Sequence, residues 1–494
     1  MDPAFAVGEV HPRLFGSFVE HLGRCVYGGV YEPGHPAADP DGLRTDVLDL
    51  VRELGVTMIR YPGGNFVSGY RWEDGVGPAA GRPRRIDPAW RSVETNQFGL
   101  GEFANLAQRL AVEPMLAVNL GTRGLAEACD LVEYANVAGG TALSDLRREH
   151  GAERPYDVRL WCLGNELDGT WQIGHKTAEE YGRLAAQTAR AIRMIDPDVR
   201  LVACGSSGSG MPTFGTWERV VLEHTYDVVD YVSCHAYYEE RDDDVDSFLA
   251  SAVDMEGFLD GVLATCDHVR AATRSTKRME ISFDEWNVWY ANRPRDPQPP
   301  AWSVAPHLLE DVYTVTDAVV VGSLLITLLR RCDRVTAACL AQLVNVIAPI
   351  MTETGGPAWR QTTFHPFAQA ARYGRGEVLR VAATGPTHGT ARYGEVPLLH
   401  ATAVRREDGA VTLFAVNRDT TAPLSLTADL RGFGALRLSD HSALYDDDRH
   451  AANTRDEPER VAPRPVWGTE VEGGRLSAVL PPLSWNVLRL VPAT

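Results

Sequence analysis

Lysine is nearly absent from this 494-residue chain: of 48 basic side chains only Lys176 and Lys277 are lysines. Schiff-base chemistry needs a lysine amine in a buried pocket. Lys176 follows a loop-like Trp-Gln-Ile-Gly-His stretch and Lys277 sits in a basic Arg-Ser-Thr-Lys-Arg segment, so neither is placed for it. The eight cysteines include no Cys-x-x-Cys pair, which removes zinc ribbons and thioredoxin-type motifs. Several lie in apolar runs (Trp161-Cys162-Leu163, Ala203-Cys204, Ser233-Cys234-His235), the context of buried free thiols in a reducing compartment rather than of disulfides. No Gly-x-Gly-x-x-Gly follows the first predicted strand, and neither Gly63-Gly64 nor Gly205–Gly210 has nucleotide-binding spacing. Met1-Asp2-Pro3-Ala4 opens no basic-then-apolar leader, so a cytoplasmic protein is expected. Positive charge is also short: a net charge of −18 argues against nucleic acid or an anionic membrane as partner. Val312–Leu329 alone approaches a membrane span, which needs ~20 mostly apolar residues. It holds Asp317 and three threonines and reads better as a buried helix.

What is present is a soluble globular composition, 44% hydrophobic and 23% charged, in a chain long enough for one large domain and a smaller one. Short apolar runs recur at Leu14–Glu20, Thr57–Tyr61, Pro114–Leu120, Val158–Gly164, Arg200–Cys204, Asp230–His235, Met279–Asp284 and Ala337–Leu343. Most are apolar at consecutive positions, the pattern of strands buried on both faces of a parallel sheet. Helical patterns intervene, as at Arg44–Leu54, Gly99–Leu110, Ala178–Ile195 (with Thr177 as cap) and Leu308–Arg331. Eight strands alternating with helices predict an α/β fold, a (β/α)8 TIM barrel over residues 11–375, with a doubly wound sheet as competitor. Beyond residue 375 the pattern alternates instead, as in Val411–Val416 and Trp485–Leu490, with turns at Glu407-Asp408-Gly409 and Glu472-Gly473-Gly474. This predicts a C-terminal antiparallel β-sandwich over 376–494, joined by a strand from residues 1–10.

Barrel chemistry is built at the carboxyl ends of the strands. Those ends carry Glu20-His21, Arg60 through Asn65, Asn119, Asn165-Glu166, His235-Ala236-Tyr237, Asp284-Glu285-Trp286-Asn287, and Gln342 with Asn345; the fifth offers only Gly205-Ser206-Ser207. The set is rich in carboxylates, amides and aromatics. Glycoside hydrolysis needs two carboxyl groups, one to protonate the leaving oxygen and one to attack or to position water. Glu166 and Glu285, on opposite sides of a barrel mouth, suit that pair. An amide at Asn165 can bond a sugar hydroxyl beside the reacting carbon. Trp171, Trp286, Trp289 and Trp302 lie near them in sequence, and indole faces suit sugar rings.

Phe15–Arg24, Arg60–Phe66, Trp161–Glu166, Asp284–Trp289 and Gln342–Pro349 together resemble the intracellular α-L-arabinofuranosidases of glycoside hydrolase family 51, over nearly the whole chain. The resemblance implies a retaining hydrolase that removes terminal non-reducing α-L-arabinofuranosyl residues from arabino-oligosaccharides. It implies Glu166 as acid/base and Glu285 as nucleophile. Glu20, Asn65 and Asn165 hold furanose hydroxyls, Trp289 and Gln342 line the pocket, and Tyr237 joins them. Arg60 and His235 support the carboxylates by hydrogen bonding. It further implies no cofactor, no metal and a homo-oligomer, often a hexamer. The chain departs from the family in a short N-terminal arm and in Thr170, where proline is frequent.

Three rival readings stand beside this one. A β-xylosidase or endoglucanase would use the same carboxylates. A carbohydrate-binding protein would use the scaffold without turnover. A metal-dependent hydrolase would gather Glu20, His21, His235 and Glu285, but the chain has no His-x-His or His-x-x-x-His.

Overall fold

The computed structural model describes residues 1–293 and 299–493. Eight parallel strands close into a barrel: Gly16–Phe18, Met58–Tyr61, Glu113–Ala117, Leu160–Leu163, Arg200–Ala203, Tyr231–Tyr238, Glu280–Val288 and Val335–Leu340. Each of the eight apolar runs overlaps one of them, with ends displaced by up to four residues. On the fourth strand Cys162 and Leu160 turn inward, joining Met58, Met115, Val202 and Cys339 in a core inside the barrel. Trp161 and Leu163 turn outward and pack with the surrounding helices. That double burial is why the runs are apolar at consecutive positions.

Among the helices, Ala178–Ile195 starts where its chemistry dictates: the Thr177 hydroxyl accepts from the Glu180 amide while the Glu180 carboxylate accepts from the Thr177 amide. The helix predicted from Leu308 begins only at Val315. Thr314 and Asp317 form its cap, with the Thr314 amide donating to Asp317 Oδ2 at 2.7 Å. Leu309 lies in the left-handed region at φ 54°, which no continuing helix allows.

Val315–Arg330 is buried along nearly its whole length because it lies between the barrel and a seven-stranded antiparallel sheet. That sheet runs Ala6–Glu9, Glu377–Leu379, Leu399–Arg405, Val411–Asn417, Ser484–Pro492, Leu436–Leu444, Arg464–Pro465 in spatial order. One of its faces shares a core with a three-stranded sheet (Leu424–Asp429, Arg475–Leu480, Glu470–Glu472) through Leu413, Ala415, Leu426, Leu476 and Leu488. Phe414 and Trp485 belong to the core on the barrel side. Gly322 is where the helix meets Trp485; a Cβ there would lie 2.4 Å from the indole. Among the described residues no helix is long and apolar enough to cross a membrane. All eight cysteines are free thiols.

Candidate active site

The seventh strand carries one extra residue against both neighbours. Its pairing with the sixth steps from Ser282↔Ser233 to Glu285↔His235, and with the eighth from Phe283↔Ala338 to Trp286↔Leu340. Such a bulge re-aims side chains. Here it lets two successive carboxylates, Asp284 and Glu285, reach the same two cations. Asp284 Oδ2 lies 3.6 Å from Arg60 Nε and its Oδ1 3.3 Å from His235 Nε2. Glu285 Oε1 accepts from Arg60 Nη1 at 2.8 Å and Oε2 from the Tyr237 hydroxyl at 3.1 Å. Arg60 also donates through Nη2 to Asn165 Oδ1 at 2.7 Å and lies over the Phe18 ring.

Gly164, directly after the fourth strand, lies at φ 96°, a conformation that favours glycine, and Glu166 follows at φ 45°. Left-handed backbone costs a non-glycine residue roughly 1–2 kcal/mol, so surrounding contacts must hold Glu166 in place. Two residues on, Asp168 supplies one, accepting from the Ser207 amide at 3.0 Å and from its hydroxyl. The fifth strand end, uninformative in sequence, thus anchors the Glu166 loop. Glu166 Oε1 faces His235 Nδ1 at 2.9 Å, and Oε2 accepts from the Trp171 indole at 2.7 Å.

Glu20 completes the ring of carboxyl groups. Its Oε1 accepts from the Phe66 amide and the Trp90 indole, both at 3.0 Å, and its Oε2 from Gln342 Nε2 at 2.7 Å. Gly64 admits the two acids: a Cβ there would meet Glu20 Oε2 at 2.9 Å and Glu285 Oε1 at 3.1 Å. Asn65 opens the short turn Asn65–Gly69 beside them and is half-buried. Trp289 packs edge-on against Tyr237, with ring centres 5.2 Å apart.

The electrostatics separate the carboxyls. Burial pushes Glu285 up, but the His235 and Arg60 charges and hydrogen bonds outweigh it and hold the group below the usual carboxylate range. Burial and the neighbouring Glu285 charge push Glu166 up. Burial lifts Glu20 to about 8, with the Glu285 charge adding to it and the Phe66 amide opposing. His235 is raised well above the imidazole value; burial acts against this, and Glu285, Asp284 and Glu166 overcome it.

Three of the buried polar atoms here have no hydrogen-bond partner among the described residues: Asn165 Nδ2, Gln342 Oε1 and Trp289 Nε1. Buried polar atoms rarely stay unpaired, and these belong to the residues that ring the two glutamates. Among the described residues, the one group that could gather a metal ion is Glu166, His235 and Glu285, with one ligand atom of each within 4.8 Å of the others. His235 carries a proton between carboxylates there, which suits a donor rather than a ligand. His21 is engaged elsewhere, by Glu94 and the Tyr61 hydroxyl, each at 2.8 Å. Lys176 and Lys277 hold backbone carbonyls of Gly174 and Tyr226, away from this cluster.

The structure thus joins Arg60, Asn165, Glu166, His235, Tyr237 and Glu285 by direct contacts and sets the Glu20–Gln342 pair beside them across Gly64, with Trp289 against Tyr237 and Asn65 between Gly64 and Phe66 in the chain. Sequence reasoning missed Trp90. It sits in the long segment between the second strand and the next helix, beside the hairpin Arg85–Asp87/Ser92–Glu94. It also assigned no role to Asp284, and it read Trp171 only as one of four tryptophans near the glutamates in sequence, not as a partner of Glu166. Of the other tryptophans, Trp286 is core and Trp302 is half-exposed.

Comparison with known proteins decides the family. Residues 50–252 match the profile described as "Alpha-L-arabinofuranosidase 1 domain" and residues 284–484 the "Alpha-L-arabinofuranosidase C-terminal domain". The intracellular exo-α-(1→5)-L-arabinofuranosidase of Streptomyces lividans is 66% identical, over 99% of this chain and 74% of that protein. The chain belongs to the α-L-arabinofuranosidases of glycoside hydrolase family 51. An exo-α-(1→6)-L-arabinofuranosidase of Bifidobacterium longum is 55% identical over 99% of this chain and 96% of its own. A solved family 51 α-L-arabinofuranosidase from Bifidobacterium longum superposes with a TM-score of 0.95 at 51% identity, covering 99% and 98% of the two chains. An arabinose complex of the Thermotoga maritima family member follows at 0.87 and 33%, with the same coverage.

Proposed function

We propose that this family member is a retaining, exo-acting α-L-arabinofuranosidase that removes terminal non-reducing arabinofuranosyl residues from arabino-oligosaccharides by double displacement. The carrying observation is the pair Glu166 and Glu285, with oxygens within 4.8 Å and proton affinities displaced in opposite directions. Retaining pairs lie about 5–5.5 Å apart and inverting pairs about 6.5–9.5 Å. In the first step Glu166 gives its proton to the glycosidic oxygen as Glu285 attacks the anomeric carbon, and the alcohol leaves. Esterification removes the Glu285 charge that favoured the proton on Glu166, so Glu166 is left as a base. Water then gives its proton to Glu166 and its oxygen to the anomeric carbon, and the Glu285 carboxylate departs.

Arg60 and the His235 cation keep Glu285 ionised and oriented. Asn165 Nδ2 and Gln342 Oε1 supply a donor and an acceptor for furanose hydroxyls, and Glu20, Asn65 and Tyr237 close around them. Trp289 offers its indole N–H and an aromatic wall. The relatives named intracellular support action in the cytoplasm on short chains. Family resemblance supports a homo-hexamer.

The test is hydrolysis of an aryl α-L-arabinofuranoside beside the matching aryl β-xyloside and β-glucoside. Turnover confined to the arabinofuranoside is expected. Preferred turnover of the xyloside or glucoside would overturn the substrate assignment while leaving the carboxylate pair intact.

A further inference from the structure

Resting on the acid/base role of Glu166, we propose that Trp171 is a positioning residue that holds Glu166 in its carboxylate form for the second step by donating its indole N–H to Oε2. Both oxygens of Glu166 face N–H groups, His235 Nδ1 at 2.9 Å on one and Trp171 Nε1 at 2.7 Å on the other. A carboxylate accepts from both at full strength. A carboxylic acid must turn one oxygen into a donor, which meets an N–H that cannot accept. His235 is shared, since its Nδ1 also lies 3.3 Å from Glu285 Oε2. Among the described residues the Trp171 indole donates to Glu166 and to no second carboxylate. It is thus the donor that acts on Glu166 alone, and hydrogen bonding to the charged form favours that form.

The loop is shaped for this contact. The indole lies across Gly169, where a Cβ would meet Trp171 Cε2 at 2.4 Å and Cζ2 at 2.5 Å. The three atoms nearest that position all belong to the Trp171 ring, so Gly169 is what lets the indole reach Glu166. Trp171 itself is 52% exposed, unlike Glu166 at 9%. Its ring is therefore free to yield when Glu166 carries the proton and to return when the proton has gone to the leaving group. Thr170, which departs from the family's frequent proline, lies in the same loop.

Two variants remove the contact by different routes. Trp171→Phe deletes the N–H, and Gly169→Ala keeps the indole but pushes it off Glu166. Both should move to higher pH the basic limb of kcat/KM on an aryl arabinofuranoside with a poor leaving group, where the Glu166 proton is needed, and the acidic limb of kcat on an activated one, where the second step limits. The expected shift is roughly half to one pH unit, since the donor is half-exposed. A merely structural role would lower both parameters without moving either limb. Glu166→Ala, assayed for kcat/KM on the substrate with the poor leaving group, tells the two failures apart. A basic limb that persists there overturns the acid/base assignment and this inference together. A limb lost in Glu166→Ala but unmoved in both Trp171→Phe and Gly169→Ala overturns this inference alone.

Discussion

Two arginines are buried in this molecule in opposite ways. At the contact between barrel and sandwich, Arg418 donates to the Leu249 carbonyl at 3.0 Å, the Pro397 carbonyl at 2.8 Å and the Ser323 hydroxyl at 3.2 Å. Its direct partners are neutral, and burial lowers it to about 10. The neighbouring His400, bonded to Ser323, is lowered to about 4 by burial and is neutral. At the barrel mouth Arg60 sits among Asp284, Glu285 and Asn165, with its Nε lacking a hydrogen-bond partner. It is raised well above its ordinary value: burial opposes this, and Asp284 leads the groups that overcome it. Around the mouth three carboxyl groups (Glu166, Asp284, Glu285) face two cations, Arg60 and His235, and a fourth, Glu20, adds to the crowding beside Glu285. The cluster therefore favours retaining a proton, and Glu166 and Glu20 are where burial places it. Buried polarity at the interface joins two domains. At the mouth it sorts acids from bases.

The largest effect that sharpens this contrast is Glu285→Gln, expected to reduce kcat on an aryl arabinofuranoside by about 10⁵-fold with thermal unfolding little changed. Glu166→Ala should cost about 10²–10⁴-fold on substrates with poor leaving groups, and much less on a dinitrophenyl glycoside. Arg60→Met leaves buried carboxylates without their cation and should destabilise by about 3–5 kcal/mol, read by denaturant unfolding. Adding Glu285→Gln to it should recover part of that loss. Arg418→Met strands two carbonyls and should cost about 2–3 kcal/mol while leaving kcat/KM and its pH profile untouched. An altered profile would break the contrast between the two sites.

The pH dependence follows from the same separation. The kcat/KM profile should rise as Glu285 ionises, at a pH below the usual carboxylate range, and fall as Glu166 ionises above it. Stability carries a matching sign. Glu285, depressed in the folded state, contributes stability that is present above its unfolded value near 4.5 and lost as pH falls through its folded value. His235, raised, contributes stability that is fully present below about 6.5 and lost as pH rises through its folded value. Unfolding free energies from pH 3 to 9 should lose the acid-side slope in Glu285→Gln.

Much of this was legible in the chain. Consecutive apolar positions marked the eight strands because both faces of each are covered. The carboxyl ends of those strands then collected Glu20, Arg60, Asn165, Glu166, His235, Tyr237, Glu285 and Gln342. The seventh-strand bulge was not legible, because one extra residue shows only in pairing with neighbours, and so Asp284 was left without a role. Trp90 was hidden for a related reason: it belongs to a long excursion after the second strand, and only the folded hairpin returns its indole to Glu20. Trp171 stands five residues from Glu166, yet an exposed loop tryptophan has no periodic signature. The helix start at Val315 was misread because Leu308, Leu309, Val312 and Tyr313 continue a helix-spaced apolar pattern upstream, while the Thr314–Asp317 cap overrides it.

Azide rescue tests the central claim most directly. Glu166→Ala and Glu285→Ala are each incubated with an activated aryl α-L-arabinofuranoside and azide, and the anomeric configuration of the product is read by NMR. The assignment of Glu285 as nucleophile and Glu166 as acid/base predicts an α-furanosyl azide from Glu166→Ala, through two inversions, and a β-furanosyl azide from Glu285→Ala, through one. A β azide from Glu166→Ala, or an α azide from Glu285→Ala, would contradict it.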